Sequence, residues 1–275
     1  MLRQNSIQLV QVSVLVVANE DIRKLLPRMA LNNYKTVFRA DYKPNLNYYS
    51  RMFDTAAQLT GYKDWVTTGL AITLQDFDER TSFTLAHNFL AYVRDVCPRE
   101  DLGDDAKRVA EIVEKVPKQL DIGKFQRLGF RCWFLYPVEM NFEQLVFVVA
   151  DKFLLQNKEI KEGICPAPTD AAYAVHFTEG SLKVVLRVGP MKREEVDVQF
   201  QPDRNSNFAV KERALPSEEL FSNLPKASLL IDIDASQTEV QSNLLRKFLD
   251  DAQALQVKLS KNIVQYVFGL RAKGK

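Results

Sequence analysis

Apolar and polar positions alternate with period two over residues 7–17, where Val10, Val12, Val14 and Val16 fall on one side and Gln11 and Ser13 on the other. That period, with its β-branched content, predicts a long strand. Asn19 caps a short helix over 20–29 that Pro27 weakens. A strand over 36–42, a loop at Pro44 and a helix over 48–59 stopped by Gly61 follow. Residues 65–74 and 81–93 read as two further strands, separated by the acidic turn Asp76-Phe77-Asp78-Glu79. Ala106, Val109, Ile112, Val113 and Val116 then recur at helical spacing over 104–120, with Pro117 expected to bend or end that helix early.

A second pass begins with the strand 125–138, in which Leu128, Phe130, Cys132, Phe134 and Tyr136 alternate against Arg127 and Arg131. Asn141 and Gln144 form a capping box for a helix over 142–155. A looser stretch over 157–170 leads to strands over 173–178 and 181–188. These flank Glu179-Gly180 and predict a hairpin. Residues 195–201 continue the meander, 201–207 form a polar loop, and 216–225 hold one helical turn. A strand over 228–234 then turns through Ala235 and Ser236 into the longest helix, over 236–270, with Ser236 and Glu239 as its capping box. Val240, Leu244, Phe248, Ala252, Leu255, Leu259, Ile263, Val267 and Leu270 give that helix one apolar stripe.

Runs of strands ending in a helix predict the α+β class. The order strand, helix, antiparallel meander, helix occurs twice. The reading is therefore of two similarly ordered lobes, 1–121 and 122–275, the second helix-grip-like, with a curved sheet around its long C-terminal helix. Two short strings carry a resemblance. Arg127-Leu128-Gly129-Phe130-Arg131 forms a strand just after a mid-chain helix, and Ile231-Asp232-Ile233-Asp234 leads into a terminal amphipathic helix. That layout resembles a sporadically distributed bacterial family of similar length without an established activity. The resemblance implies a fold plan and transfers no catalytic residues.

Composition narrows the classes. Of 275 residues, 46% are hydrophobic and 26% charged, the balance of a soluble globular protein. A formal net charge of +2 supplies no global field for nucleic acid or membrane. Cys97, Cys132 and Cys165 lie far apart, and neither they nor His87 and His176 fall at metal-ligand spacing. Reduced thiols, and an apolar run over 14–18 too short for a signal peptide or a span, predict the cytoplasm and no membrane contact.

Candidate chemistry is sparse. No phosphate-binding glycine loop, nucleophile elbow or zincin motif occurs. Asp232 and Asp234, two apart on a strand, point to one face and have the spacing of a divalent-cation pair. The alternative is a solvated face, with Asp234 favouring the following helix N-terminus. His87 and His176 read as structural or surface histidines. Residues 28–63 interleave Arg39 and Arg51 with Tyr42, Tyr48 and Tyr49, a mixture suited to a protein interface or to unpaired bases. These five are the expected binding residues. The sequence thus predicts a non-enzymatic interaction or sensing module of a larger bacterial assembly, with no cofactor or metal and with protein as the first expected partner. Self-association stays open. One alternative is a small-ligand cavity under the C-terminal helix, walled by Trp133, Tyr173 and Phe177. The other is single-stranded nucleic-acid binding through 28–63.

Overall fold

The computed structural model describes residues 31–45, 47–59, 62, 64–76, 79–94, 102–156, 159–160, 163, 167–199 and 224–269. The strand expected over 7–17, the helix over 20–29, the loop over 201–207 and most of the turn over 216–225 lie outside them.

The described strands join one antiparallel sheet. They are Asn32–Tyr42 (β1), Asp64–Thr68 (β2), Ala71–Asp76 (β3), Thr81–Ala86 (β4), Phe89–Arg94 (β5), Lys124–Val138 (β6), Tyr173–Glu179 (β7), Leu182–Lys192 (β8) and Ala227–Gln241 (β9). Their order across the sheet is β2-β3-β4-β5-β1-β6-β9-β8-β7. β1 to β5 therefore form one wing and β6 to β9 the other, joined where β1 pairs with β6. The spine is β6 with β9, which pair from Lys124↔Gln241 to Val138↔Ala227.

Five helices complete the described fold: Asn47–Ala57 (α1), Gly103–Leu120 (α2), Phe142–Phe153 (α3), Arg193–Gln199 (α4) and Leu245–Phe268 (α5). α5 lies on β6 and β9, α3 on β8 and β9, and α1 on β3 and β4, with α2 between α1 and α5. All four cover the same face. There Phe38, Ala40, Phe130, Cys132, Phe134, Ile231 and Ile233 meet Val116, Val149, Phe248, Ala252 and Leu255 in one core. Period-two alternation in the strands and 3.6 periodicity in the helices supply the two halves of that contact.

The long helix begins later than its apolar stripe implies. Ser236 and Glu239 are not a helix cap; both belong to β9, and the helix proper starts at Leu245 after a 3₁₀ turn over Ser242–Leu244. Pairing with β6 overrides the local cap signal. Glu239 adopts φ 59, opposite the bulge at Gln126 where β6 shifts register against β1. The two irregularities sit level with each other and turn Phe125 and Val240 back into the core. Leu244 is exposed, whereas Gln256, outside the apolar stripe, is fully buried and donates from Nε2 to the carbonyls of Phe130 and Ile233, each at 3.0 Å.

Other differences have equally local causes. The strand expected over 65–74 is the hairpin β2–β3, because Gly69 takes φ 53 and closes a two-residue turn. The strand expected over 81–93 is likewise the hairpin β4–β5, turning at His87 and Asn88. Pro117 sits in the last turn of α2 and does not end it; Asp121 closes the helix in the left-handed region. Residues 193–199 form α4 and not a strand: the Glu195 carboxylate reaches back to the Lys192 N–H at 2.8 Å, as in a capping box. The capping box of Asn141 and Gln144 is present with both bonds, at 2.8 and 3.0 Å.

Candidate functional surface

The second face of the sheet carries the polar alternates of the core strands. Among the described residues only one end of it is capped, where α4 contributes Val196 to a small cluster with Tyr34, Trp133, Leu135, Met191 and Leu224. Strand register places the side chains of the remainder in rows. One row runs Lys35, Trp133, Asp232, Arg187; the next Val37, Arg131, Asp234, Val185, His176; the third Arg39, Gly129, Ser236, Lys183.

Arginine–aspartate pairs dominate this face. Arg131 donates from Nε to Asp232 Oδ1 at 2.8 Å and from Nη2 to Oδ2 at 2.7 Å, and Arg187 Nη1 adds a third bond to Oδ2 at 3.0 Å. Asp232 is thereby 3% exposed while both arginines reach solvent. The hydrogen bonds it donates to Asp232 hold the Arg131 guanidinium above its ordinary pKa, against the opposing effect of burial. Arg127 reaches across Gly129 toward Asp234, at 3.7 Å; a side chain at Gly129 would sit 3.5 Å from that guanidinium. Arg39 donates to Asp41 at 2.7 Å. The rings here lie beneath cations: Arg131 is 4.2 Å and Lys35 5.9 Å from the Trp133 centroid, and Arg39 is 4.3 Å from that of Phe89.

Asp232 and Asp234 do share a face, as their spacing requires, but arginines occupy them. Asp234 lies inside β9 and not at the start of the helix that follows. Among the described residues no group of three His, Cys, Asp or Glu gathers to hold a metal.

The five binding residues expected from 28–63 do not form one surface. Tyr42 is a correction: it is 2% exposed, its hydroxyl lies within hydrogen-bond reach of the Ala86 and Phe89 carbonyls, and burial pushes its pKa up. Tyr48 is half-buried with its ring edge-on to Tyr42, at 5.7 Å. Arg51 is exposed on α1, over the covered face, whereas Arg39 projects from the opposite one. The side chain of Tyr49 lies outside the described residues. Of the expected cavity walls, Trp133 faces away from α5, whereas Phe177 packs against the main core and Tyr173 stacks on Phe153 at 4.5 Å. A shallow cleft elsewhere, of about 30 Å³ between Tyr62, Arg108 and Glu111, has room for little more than a water.

A second cluster is enclosed. Arg94 Nε meets both oxygens of Asp105, at 2.9 and 2.7 Å, with neither side chain more than 1% exposed. Tyr92 donates to Asp105 Oδ1 at 2.8 Å, and Thr36 Oγ1 lies 2.8 Å from Oδ2. Arg94 also donates to Asn33 Oδ1. Cys132 borders the cluster, its thiol pKa pushed up by burial. These bonds pin the first turn of α2 to β1 and β5. Arg94 falls in step with the buried Leu90 and Tyr92, and that misplaced charge is the signal in the sequence that would have found the cluster.

Comparison with models of known families and with curated proteins finds no match to this chain.

Proposed function

We propose that the chain is a non-catalytic interaction module, part of a larger bacterial assembly, and that the uncapped sheet face is its contact surface. One observation carries this reading. Four helices bury one face of the sheet, while the other keeps half-exposed arginines locked in place by aspartates across three adjacent strands, β6, β9 and β8. Pre-positioned arginines lose little side-chain entropy on binding, which suits them to an interface.

Among the described residues the groups that carry chemistry are scattered. His87 lies in the β4–β5 turn and His176 on edge strand β7, with five strands between β4 and β7. Cys132 is buried with a raised pKa, which disfavours a nucleophilic role. A ligand cavity under α5 is the weaker reading, because Phe248, Ala252, Leu255 and Gln256 occupy the space between that helix and the sheet. The two-lobed reading enters as a proposal too: each wing follows the order strand, helix, meander, helix, consistent with two related halves.

A photo-cross-linking residue placed at His176 or Arg39, and for comparison at Arg51, tests the surface in the native host. Partner adducts from the first two positions and none from Arg51 are expected. Adducts from Arg51 alone would overturn the assignment.

A further inference from the structure

The uncapped face is electrostatically one-sided. Lys35, Arg39, Arg127, Arg131, Lys183 and Arg187 project from it in register. Against those six stand four acids, Asp41, Asp64, Asp232 and Asp234. The excess of two positive charges on this face matches the +2 of the entire chain, so the rest of the molecule is close to neutral. Of the two long segments outside the described residues, one is net basic and the other carries a single net negative charge. Residues 1–30 carry four basic and two acidic groups, and 200–223 carry three and four.

We infer that this face binds an acidic, extended segment of a partner protein through carboxylates, an assignment that rests on the surface reading above. Asp232 is an internal example of the recognition: a carboxylate held bidentately by Arg131 with Arg187 as a third donor. Each of Arg39, Arg127 and Arg187 engages its aspartate through one nitrogen and is 43% to 49% exposed, leaving further N–H donors directed at solvent. The rings argue against unpaired bases. Stacking needs an open aromatic face, and Trp133 and Phe89 already lie under Arg131 and Arg39. Carboxylates need only the guanidinium edges.

Fluorescence anisotropy of the full chain with a labelled oligoglutamate, and separately with oligothymidylate, tests the inference. Oligoglutamate binds at low salt and weakens as salt rises through about 0.1 M, where the screening length shrinks to about 10 Å. Arg39→Ala combined with Arg187→Ala weakens it about fivefold or more, summing two partly exposed charge pairs. Arg51→Ala leaves it unchanged, and thermal melts confirm that the variants fold; Lys183→Ala, at an exposed lysine on the same face, also weakens it. Oligoglutamate binding indifferent to the face variants overturns the inference. Tighter oligothymidylate binding that does depend on them overturns the acidic partner and leaves the surface standing. Failure of both probes to bind overturns the acidic partner, and the cross-links at His176 and Arg39 then decide the surface independently.

Discussion

Arg131 grips both carboxylate oxygens of Asp232 from the neighbouring strand, at 2.8 and 2.7 Å, leaning diagonally across the sheet to do so. The aspartate is almost fully covered while the arginine stays partly in water. Removing the arginine leaves a shielded carboxylate with Arg187 alone. Arg131→Ala should therefore cost about 1.5–3 kcal/mol, the range for hydrogen bonds to charged groups. Arg187→Ala should cost less, since it removes one bond of three. Denaturant unfolding of both variants checks the ranking.

Arg94 and Asp105 form the enclosed counterpart. Asp105→Ala should destabilise by about 3–5 kcal/mol, because it leaves an uncompensated guanidinium in the core. Arg94→Met should be of similar size for the mirror-image reason. The double variant should cost much less than the two together, since no buried charge remains unpaired. A double-mutant cycle by equilibrium unfolding measures that coupling.

Glu239 distinguishes the strand from a helix cap. At φ 59 a side chain is strained and glycine is not. Glu239→Gly should stabilise the protein by about 0.5–1 kcal/mol, less a few tenths for its exposed ion pair with Lys124. Were Glu239 the third residue of a helix, the same change would destabilise. A thermal melt gives the sign.

Burial raises the pKa of Tyr34, to about 12, and also those of Tyr42, Tyr62, Tyr92 and Tyr136. A folded pKa above the unfolded value of about 10 contributes stability that is fully present below pH 10. That contribution is lost as pH rises through the folded values. Unfolding free energy should thus fall steeply above about pH 10. In the phenolate absorbance, several of the nine tyrosines should titrate only on unfolding.

Most elements were legible because their periodicity reports directly on the core. The alternation of Phe130, Cys132 and Phe134 fixed β6, and Asn141 with Gln144 fixed the start of α3. Two kinds of information were not local. Ser236 to Gln241 look like a helix start because their strand character comes from pairing with β6, more than a hundred residues away. The surface around Asp232 draws Arg131 and Arg187 from two other strands, so no short stretch announces it. The tyrosine- and arginine-rich segment misled for the converse reason. Residues close in sequence there alternate between the two faces of a strand, sending Phe38 and Ala40 inward and Arg39 outward.

Charge reversal on opposite sides of the sheet tests the central claim most directly. Arg39→Glu combined with Arg187→Glu alters the uncapped face, and Arg51→Glu alters the helix-covered side. Each variant and the parent are used as bait for quantitative affinity capture from the native host, after a melt has confirmed folding. Partners retained by the parent and by Arg51→Glu but lost from the double variant are the predicted result. Loss with Arg51→Glu and retention by the double variant would contradict it.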